Sequence, residues 1–210
     1  MTDKNIFLNL NFILSAMEIH HLPEDKGIEV ALCGRSNSGK SSVLNALADN
    51  KYLARTSKTP GRTQSLNVFD LSNDRLKRIV DLPGYGFAKV SKKDRKNWGV
   101  LVNNYLNRRL SLKGLVLIMD IRHPLRDSDL ALINWCIETH TNILIILNKS
   151  DKLSKNQSIN ALKQTLECIA NIDLNIDVIV FSAKTLEGMK TLKKKLTEWM
   201  DLEESPNALG

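Results

Sequence analysis

Residues 28–41 read Ile-Glu-Val-Ala-Leu-Cys-Gly-Arg-Ser-Asn-Ser-Gly-Lys-Ser, and the residues that follow, through Leu47, carry the apolar spacing of a helix. An apolar run ending in Gly34, a polar loop, then Gly39-Lys40-Ser41 opening a helix is the order a polyphosphate cradle needs. Many backbone N–H donors must converge on one point. Gly34 and Gly39 free the loop sterically, and the helix N-terminus adds its partial positive charge. Lys40 then reaches the terminal phosphates and Ser41 offers its hydroxyl to Mg²⁺.

Outward from this stretch, short apolar runs alternate with longer segments of helical period, which predicts an α/β protein with a mainly parallel sheet. Strands are expected at 28–33, 66–71, 77–82, 115–120, 142–148 and 176–181. The second and third are joined by only 72–76, too short for a parallel crossover, so they should form an antiparallel hairpin in a mixed sheet. Trp98, Leu101, Val102, Tyr105 and Leu106 recur at helical spacing behind Ser91, with Asp94 as a capping partner. Trp135 within 127–139 and Trp199 within 188–200 read as helical core positions. The run 6–17 is apolar but interrupted by Asn9 and Asn11 and too short to span a bilayer. The alternation of Leu8, Leu10 and Phe12 makes it an additional N-terminal strand ahead of a turn at His21-Leu22-Pro23.

A chain of 210 residues with 42% apolar content can bury one sizeable core. The expected organisation is an N-terminal extension (1–26), one nucleotide-binding domain (27–200) and a flexible tail (201–210). Net charge is +7, a bias toward anionic partners. Cys33, Cys136 and Cys168 are far apart and each lies in an apolar run, predicting buried free thiols in a reducing compartment. No zinc-ligand spacing links them to the histidines.

Three further signals follow in order, each at the end of an expected strand, where open α/β sheets bind ligands. In Asp81-Leu82-Pro83-Gly84 the aspartate can hold Mg²⁺ through water, and Gly84 can offer its N–H to a γ-phosphate. In Asn148-Lys149-Ser150-Asp151 the last carboxylate can accept the N1 and N2 protons of guanine, which adenine cannot offer together. An adenine would leave that carboxylate unpaired, which is costly. In Ser182-Ala183-Lys184, after Phe181, the Ala183 N–H can donate to guanine O6. These residues point to a guanine-nucleotide-binding P-loop protein.

The chain resembles the EngB family of bacterial ribosome-assembly GTPases. The likeness rests on Gly34-Arg35-Ser36-Asn37-Ser38-Gly39-Lys40-Ser41, Ser57-Lys58-Thr59-Pro60-Gly61-Arg62-Thr63-Gln64, Asp81-Leu82-Pro83-Gly84-Tyr85-Gly86 and Met119-Asp120-Ile121-Arg122-His123-Pro124, and it spans almost the whole chain. It implies GTP hydrolysis, Mg²⁺, a cytoplasmic home, and a role in maturing the large ribosomal subunit tied to septum formation. It further implies that 55–64 is switch I, ordered by the triphosphate, with Thr63 completing the Mg²⁺ shell and Thr59 a rival for that role. Ser42, Gly61, Arg62, Gln64 and Ser65 join the expected nucleotide contacts. The expected partners are GTP or GDP and a ribosomal precursor with its rRNA, but neither DNA nor membrane; the protein is expected to be a monomer.

Many GTPases carry a glutamine after Asp-x-x-Gly to orient the attacking water, and this chain has Tyr85 there. Intrinsic turnover should therefore be slow, with a partner completing the site, and Tyr85 is expected to be a packed or switch-mobile aromatic. Asn37 occupies a position that binds K⁺ in some cation-dependent GTPases; a loop hydrogen bond is the equal alternative. Lys51, Arg55, Lys58 and Arg62, and Lys89, Lys92, Lys93, Arg95 and Lys96, flank the two switch regions and suit RNA phosphates or plain solvation. The competing classes are a metabolic P-loop kinase, which Asp151 opposes, and a non-hydrolysing guanine-nucleotide binding module.

Overall fold

The computed structural model describes residues 6–54, 65–85, 92–172, 174 and 176–202, with the backbone alone for 92–98. β1 (Leu10–Ala16), β2 (Ile28–Gly34), β3 (Leu66–Leu71), β4 (Asp74–Asp81), β5 (Leu112–Asp120), β6 (Asn142–Asn148) and β7 (Ile176–Val180) form one seven-stranded sheet in the order β1-β3-β4-β2-β5-β6-β7. The pairs from β4 through β7 are parallel; β1·β3 and β3·β4 are antiparallel. The expected hairpin forms with a tighter turn than the sequence suggested, because β4 starts at Asp74. The chain leaves β2 toward β3 and β4 and returns on its other side as β5, so the ends of β2 and its neighbours frame the crevice where such sheets bind ligands.

Helices cover both faces: α1 (Lys40–Leu47) and α5 (Met189–Trp199) on one, α2 (Lys92–Arg108), α3 (Asp127–Glu138) and α4 (Lys155–Ile169) on the other. Strand alternation sorts the core between them. Leu115, Leu117 and Met119 pack toward Tyr105, Ile133 and Ile169, whereas Val116 and Ile118 pack toward Leu44, Leu192 and Trp199. The helical stripe Leu101, Val102, Tyr105 and Leu106 is buried as its spacing requires. None of the described helices is long and apolar enough to cross a membrane. The tail beyond Leu202 and the Trp98 side chain lie outside the described residues.

Two expectations need correction. Leu8 and Phe12 are not the inward face of the first strand: Leu8 sits in a 3₁₀ turn (Ile6–Asn9), and a register shift between Phe12 and Leu14 breaks the alternation. Leu10 points inward as expected and Ala16 joins it, while Phe12 lays its ring edge-on against Phe69 at 5.7 Å. Cys33 and Cys136 are buried, but Cys168 is exposed. On α4 the buried residues are Ser158, Thr165 and Ile169, and Cys168 lies off the face they share. Burial pushes the Cys136 thiol up to about 12 and the Cys33 thiol well above its ordinary value.

At the N-terminal ends of the parallel strands the polar groups form a closed cluster that the sequence reading did not anticipate. Glu29, fully buried, accepts from Arg78 Nε at 2.7 Å, Arg109 Nη2 at 2.7 Å, Arg109 Nε at 3.0 Å and the Tyr105 hydroxyl at 3.1 Å. The two guanidiniums also reach main-chain carbonyls of the 23–26 segment, Arg109 to Pro23 at 2.8 Å and Arg78 to Glu24 at 3.1 Å. Asp25 accepts the Leu110 and Ser111 amides at 2.9 Å each. The cluster thus fastens the entry to β2 onto β4 and onto the α2–β5 turn.

Candidate nucleotide site

At the opposite end of the sheet, β2 runs through Gly34 into the loop and α1 begins at Lys40. Gly39 has φ +96°, a conformation side chains rarely adopt, and a Cβ there would lie 2.3 Å from Asn148 Nδ2. At Gly34 a Cβ would meet the Ile118 carbonyl at 2.4 Å. Among the described residues no side chain caps α1, so the first-turn amides, with Ser41 half-buried and Ser42 exposed beside them, offer an anion their hydrogen-bonding capacity. Arg35 bridges to Tyr85: Ser36 N donates to Tyr85 O at 2.9 Å, and Tyr85 N to Gly34 O at 3.3 Å. Asn37 is left-handed at φ 65° and exposed.

Asp81 ends β4, almost buried, and pairs with Lys40 Nζ. The cation and the carboxylate that a magnesium polyphosphate would engage are therefore already side by side. Leu82 points into the core, Pro83 is buried, and Gly84 is half-buried beside Ser36. Tyr85 is a packed aromatic, 7% exposed, its hydroxyl donating to Asp129 Oδ1 at 2.7 Å; burial, with Cys33 and Asp129 nearby, drives its phenol far above the ordinary value.

The loops after β6 and β7 close the other side. Asn148, 2% exposed, donates from Nδ2 to Ser38 O at 2.9 Å and accepts Ala183 N at 3.3 Å, tying the first loop to the last. That long bond occupies the Ala183 N–H in this state, where a base oxygen can share it. Lys149, left-handed at φ 72°, reaches the Asn37 carbonyl and Asp120 Oδ2 at 2.9 Å. Arg122 grips the same Asp120 carboxylate with Nε at 2.9 Å and Nη2 at 2.7 Å. Burial would raise the Asp120 carboxyl, but the hydrogen bonds from Arg122 and Lys149 hold it well below the usual carboxylate range.

Ser150 donates its N–H to Phe181 O at 3.1 Å and its hydroxyl to Glu187. Asp151 accepts the Ser182 hydroxyl at 2.8 Å, with Lys152 at 3.4 Å; these contacts, Ser182 foremost, hold it below its ordinary value and ionised at neutral pH. Phe181 itself, an expected nucleotide contact, has its side chain fully buried in the core beside α5, which leaves its main chain to carry the loop. Ser65 is buried at the start of β3, its hydroxyl 3.4 Å from Asn67 Oδ1. Thr59, Gly61, Arg62, Thr63 and Gln64 lie outside the described residues.

The structure thus brings together Lys40, Ser41, Asp81 and Gly84 on one side of the crevice, and Asn148, Lys149, Asp151 and Ala183 on the other. Sequence reasoning missed the supporting partners Glu187 and Asp129, and it gave no role to Asp120. A charge closing an apolar run, as Asp120 does, is the signal that was available.

A seven-stranded mixed sheet whose β2 runs through a Gly-containing loop into α1, with the loops after β6 and β7 closing the same crevice, is the architecture of a P-loop GTPase domain. The family described as 50S ribosome-binding GTPase matches residues 29–149. Across 199 residues the chain is 45% identical to the "Probable GTP-binding protein EngB" of Salmonella typhimurium, covering 95% of this chain and 93% of that one. An Escherichia coli protein of the same name is 44% identical over 201 residues, covering 96% and 94%. A crystal structure of an engB protein superposes with TM-score 0.63 at 24% identity over 83% of this chain and all of that one. Era in complex with MgGDPNP and 16S ribosomal RNA superposes with TM-score 0.64 at 20% identity, over 83% and 57%. The chain belongs to the EngB family of GTP-binding proteins, and it is a GTPase.

Proposed function

We propose that the crevice binds GTP and GDP through the residues assembled above, that turnover of the isolated protein is slow, and that the nucleotide state governs docking on a precursor of the large ribosomal subunit. The observation that carries the guanine reading is Asp151: an ionised carboxylate beside the Ala183 N–H at the end of the sheet, matched to a ring offering N1 and N2 protons next to an O6 acceptor. Gly34, Arg35, Ser36, Asn37, Ser38, Gly39, Lys40 and Ser41 would cradle the phosphates, and Gly84 would meet the γ-phosphate.

The donor set fits a hard cation. Ser41 supplies a hydroxyl at the start of α1, and Asp81 supplies a carboxylate now neutralised by Lys40. Ser41 and, through water, Asp81 would hold Mg²⁺ together with Thr63, and the ion when bound would offset phosphate charge. The Asn37 side chain, exposed and without a hydrogen bond among the described residues, suits a K⁺ ligand; equal hydrolysis rates in potassium and sodium buffers would remove that role.

Slow turnover follows from Tyr85. Its hydroxyl is committed to Asp129 and its ring to the core, so no side chain at this position orients water. The ribosomal reading draws on the description of the matched family, on the rRNA bound by the structurally similar Era, and on the basic runs flanking both switch regions. A cytoplasmic location and a link to septation belong to the same reading.

The first test is a titration with GTP, GDP and ATP. Guanine nucleotides should bind at least about 100-fold more tightly than ATP, as expected of a site that would leave a polar group unpaired with the wrong base; equal affinities would overturn the assignment. Co-sedimentation with large-subunit precursors should depend on the bound nucleotide and weaken steeply with salt. Salt-insensitive association would remove the phosphate contact.

A further inference from the structure

The loop that follows β4 is fastened on both sides of Gly84. Before it, Leu82 N donates to Leu32 O at 2.9 Å; after it, Tyr85 N donates to Gly34 O at 3.3 Å and Tyr85 O accepts Ser36 N at 2.9 Å. Among the described residues the Gly84 N–H itself has no hydrogen-bond partner. It is a donor held from both ends and left available.

The Tyr85 side chain adds an anchor from a different element. Its hydroxyl reaches Asp129 Oδ1 on α3 at 2.7 Å, while Asp129 Oδ2 accepts Arg126 N at 2.9 Å. Asp129 is 1% exposed and pairs with no cation among the described residues. A buried carboxylate in that position depends on its hydrogen bonds and on the positive end of its own helix. Breaking the bond from Tyr85 would leave a buried carboxyl oxygen without its donor, which is costlier than the bond itself is worth. Because burial keeps the phenol protonated at any working pH, it remains a donor.

We propose that Asp129 is a positioning residue for the triphosphate: through the Tyr85 hydroxyl it fixes the main chain at residue 85 and so holds the Gly84 N–H where a γ-phosphate oxygen takes it. The inference rests on the reading of the crevice as a GTP site. It assigns a duty to the residue that stands where other GTPases place glutamine: Tyr85 shapes the phosphate receptor and leaves water orientation to another group. GDP has no γ-phosphate, so the anchor bears on GTP alone.

That asymmetry separates positioning from mere stability. Tyr85→Phe keeps the packed ring and removes only the hydroxyl. It should weaken a non-hydrolysable GTP analogue about 10-fold, the effect of one lost hydrogen bond, while GDP affinity stays within about 2-fold. Asp129→Asn should shift the same GTP-to-GDP ratio in the same direction. The double variant should shift it no further than the larger single change, since both act through one bond.

Equal weakening of both nucleotides, an unchanged ratio, or a gain in GTP affinity would overturn the proposal. Additive shifts would overturn the route through Tyr85. Should Asp129→Asn fail to fold, Tyr85→Phe decides alone. Unmodified protein that bound neither nucleotide would instead defeat the GTP-site reading, so the two failures are distinguishable.

Discussion

The two ends of the sheet both gather charged side chains and use them in opposite ways. At the N-terminal ends of the parallel strands, Glu29, Arg78, Arg109, Tyr105 and Asp25 satisfy one another and the nearby carbonyls and amides, with Glu29 and Arg78 almost wholly out of water. At the C-terminal ends, Lys40 sits on Asp81, Asp151 on Ser182, and Ala183 N on Asn148. Each of the latter contacts has a replacement that a nucleotide can supply: phosphate for Lys40, a guanine edge for Asp151, a base oxygen for Ala183. The saturated end is built to stay, and the other is built to exchange partners. Burial alone does not distinguish them, since Asp81 is about as buried as Arg78; what differs is whether the partners are fixed by covalent neighbours or replaceable.

The largest effect expected from this contrast is on folding. Glu29→Gln removes the charge that two guanidiniums share and turns an NH₂ toward one of them, which should cost about 3–5 kcal/mol, the usual result of breaking a buried pair from one side. Urea unfolding would register the loss as a lower midpoint at unchanged slope, and the preference for guanine over adenine nucleotides in the folded fraction should be unaltered. A stability within about 0.5 kcal/mol of the parent would show that the cluster is not a staple, and the contrast would lose its lower half.

The second effect falls on binding with folding spared. Asp151→Asn replaces a charged acceptor of two hydrogen bonds, each worth roughly 1.5–3 kcal/mol, and should weaken GDP about 100-fold or more, while xanthine nucleotides gain because the amide can donate to a 2-oxo group. Stability should move little, because the protein partners of Asp151 are the hydroxyl of Ser182 and the exposed Lys152. Calorimetric titration with the two nucleotide series checks it. Loss of stability comparable to that of Glu29→Gln would erase the distinction between the two ends.

The asymmetry also explains what could be read beforehand. The strand-loop-helix order around Gly34 and Gly39 announced itself, because cradling a phosphate needs a particular local order of residues. The candidate base-side loops after β6 and β7 stood out for the same reason, each being four or fewer consecutive residues at a strand end. The Glu29 cluster was not, since its members come from residues 25, 29, 78, 105 and 109 and only the fold makes them neighbours. Asp129 was hidden likewise, reading locally as a helix-start acid. The first strand was misjudged in detail because a register shift leaves no mark in a two-residue period, and Cys168 because its neighbours' apolarity said nothing of which side of α4 each faces.

The smallest effect expected concerns acid, and it asks whether the two ends also differ in what their carboxylates report. Burial would raise the Asp25 carboxyl, but hydrogen bonds from Ser111 and Leu110, with Arg109 close by, hold it below its ordinary value. A carboxyl depressed on folding contributes stability above its unfolded pKa of about 4, and that contribution is lost as pH falls through the folded value. Asp25→Asn should therefore be less stable than the parent at pH 6 and decline less steeply below about pH 4, so that the two curves converge in acid. GDP affinity at neutral pH should be the same in both, because Asp25 lies at the end of the sheet away from the crevice. Asp151 is depressed as well, yet its protonation should register in nucleotide binding more than in unfolding, since the fold engages it only through the Ser182 hydroxyl and the exposed Lys152. Parallel acid limbs for Asp25→Asn and the parent would assign the acid sensitivity of folding to other carboxylates and remove Asp25 from the staple.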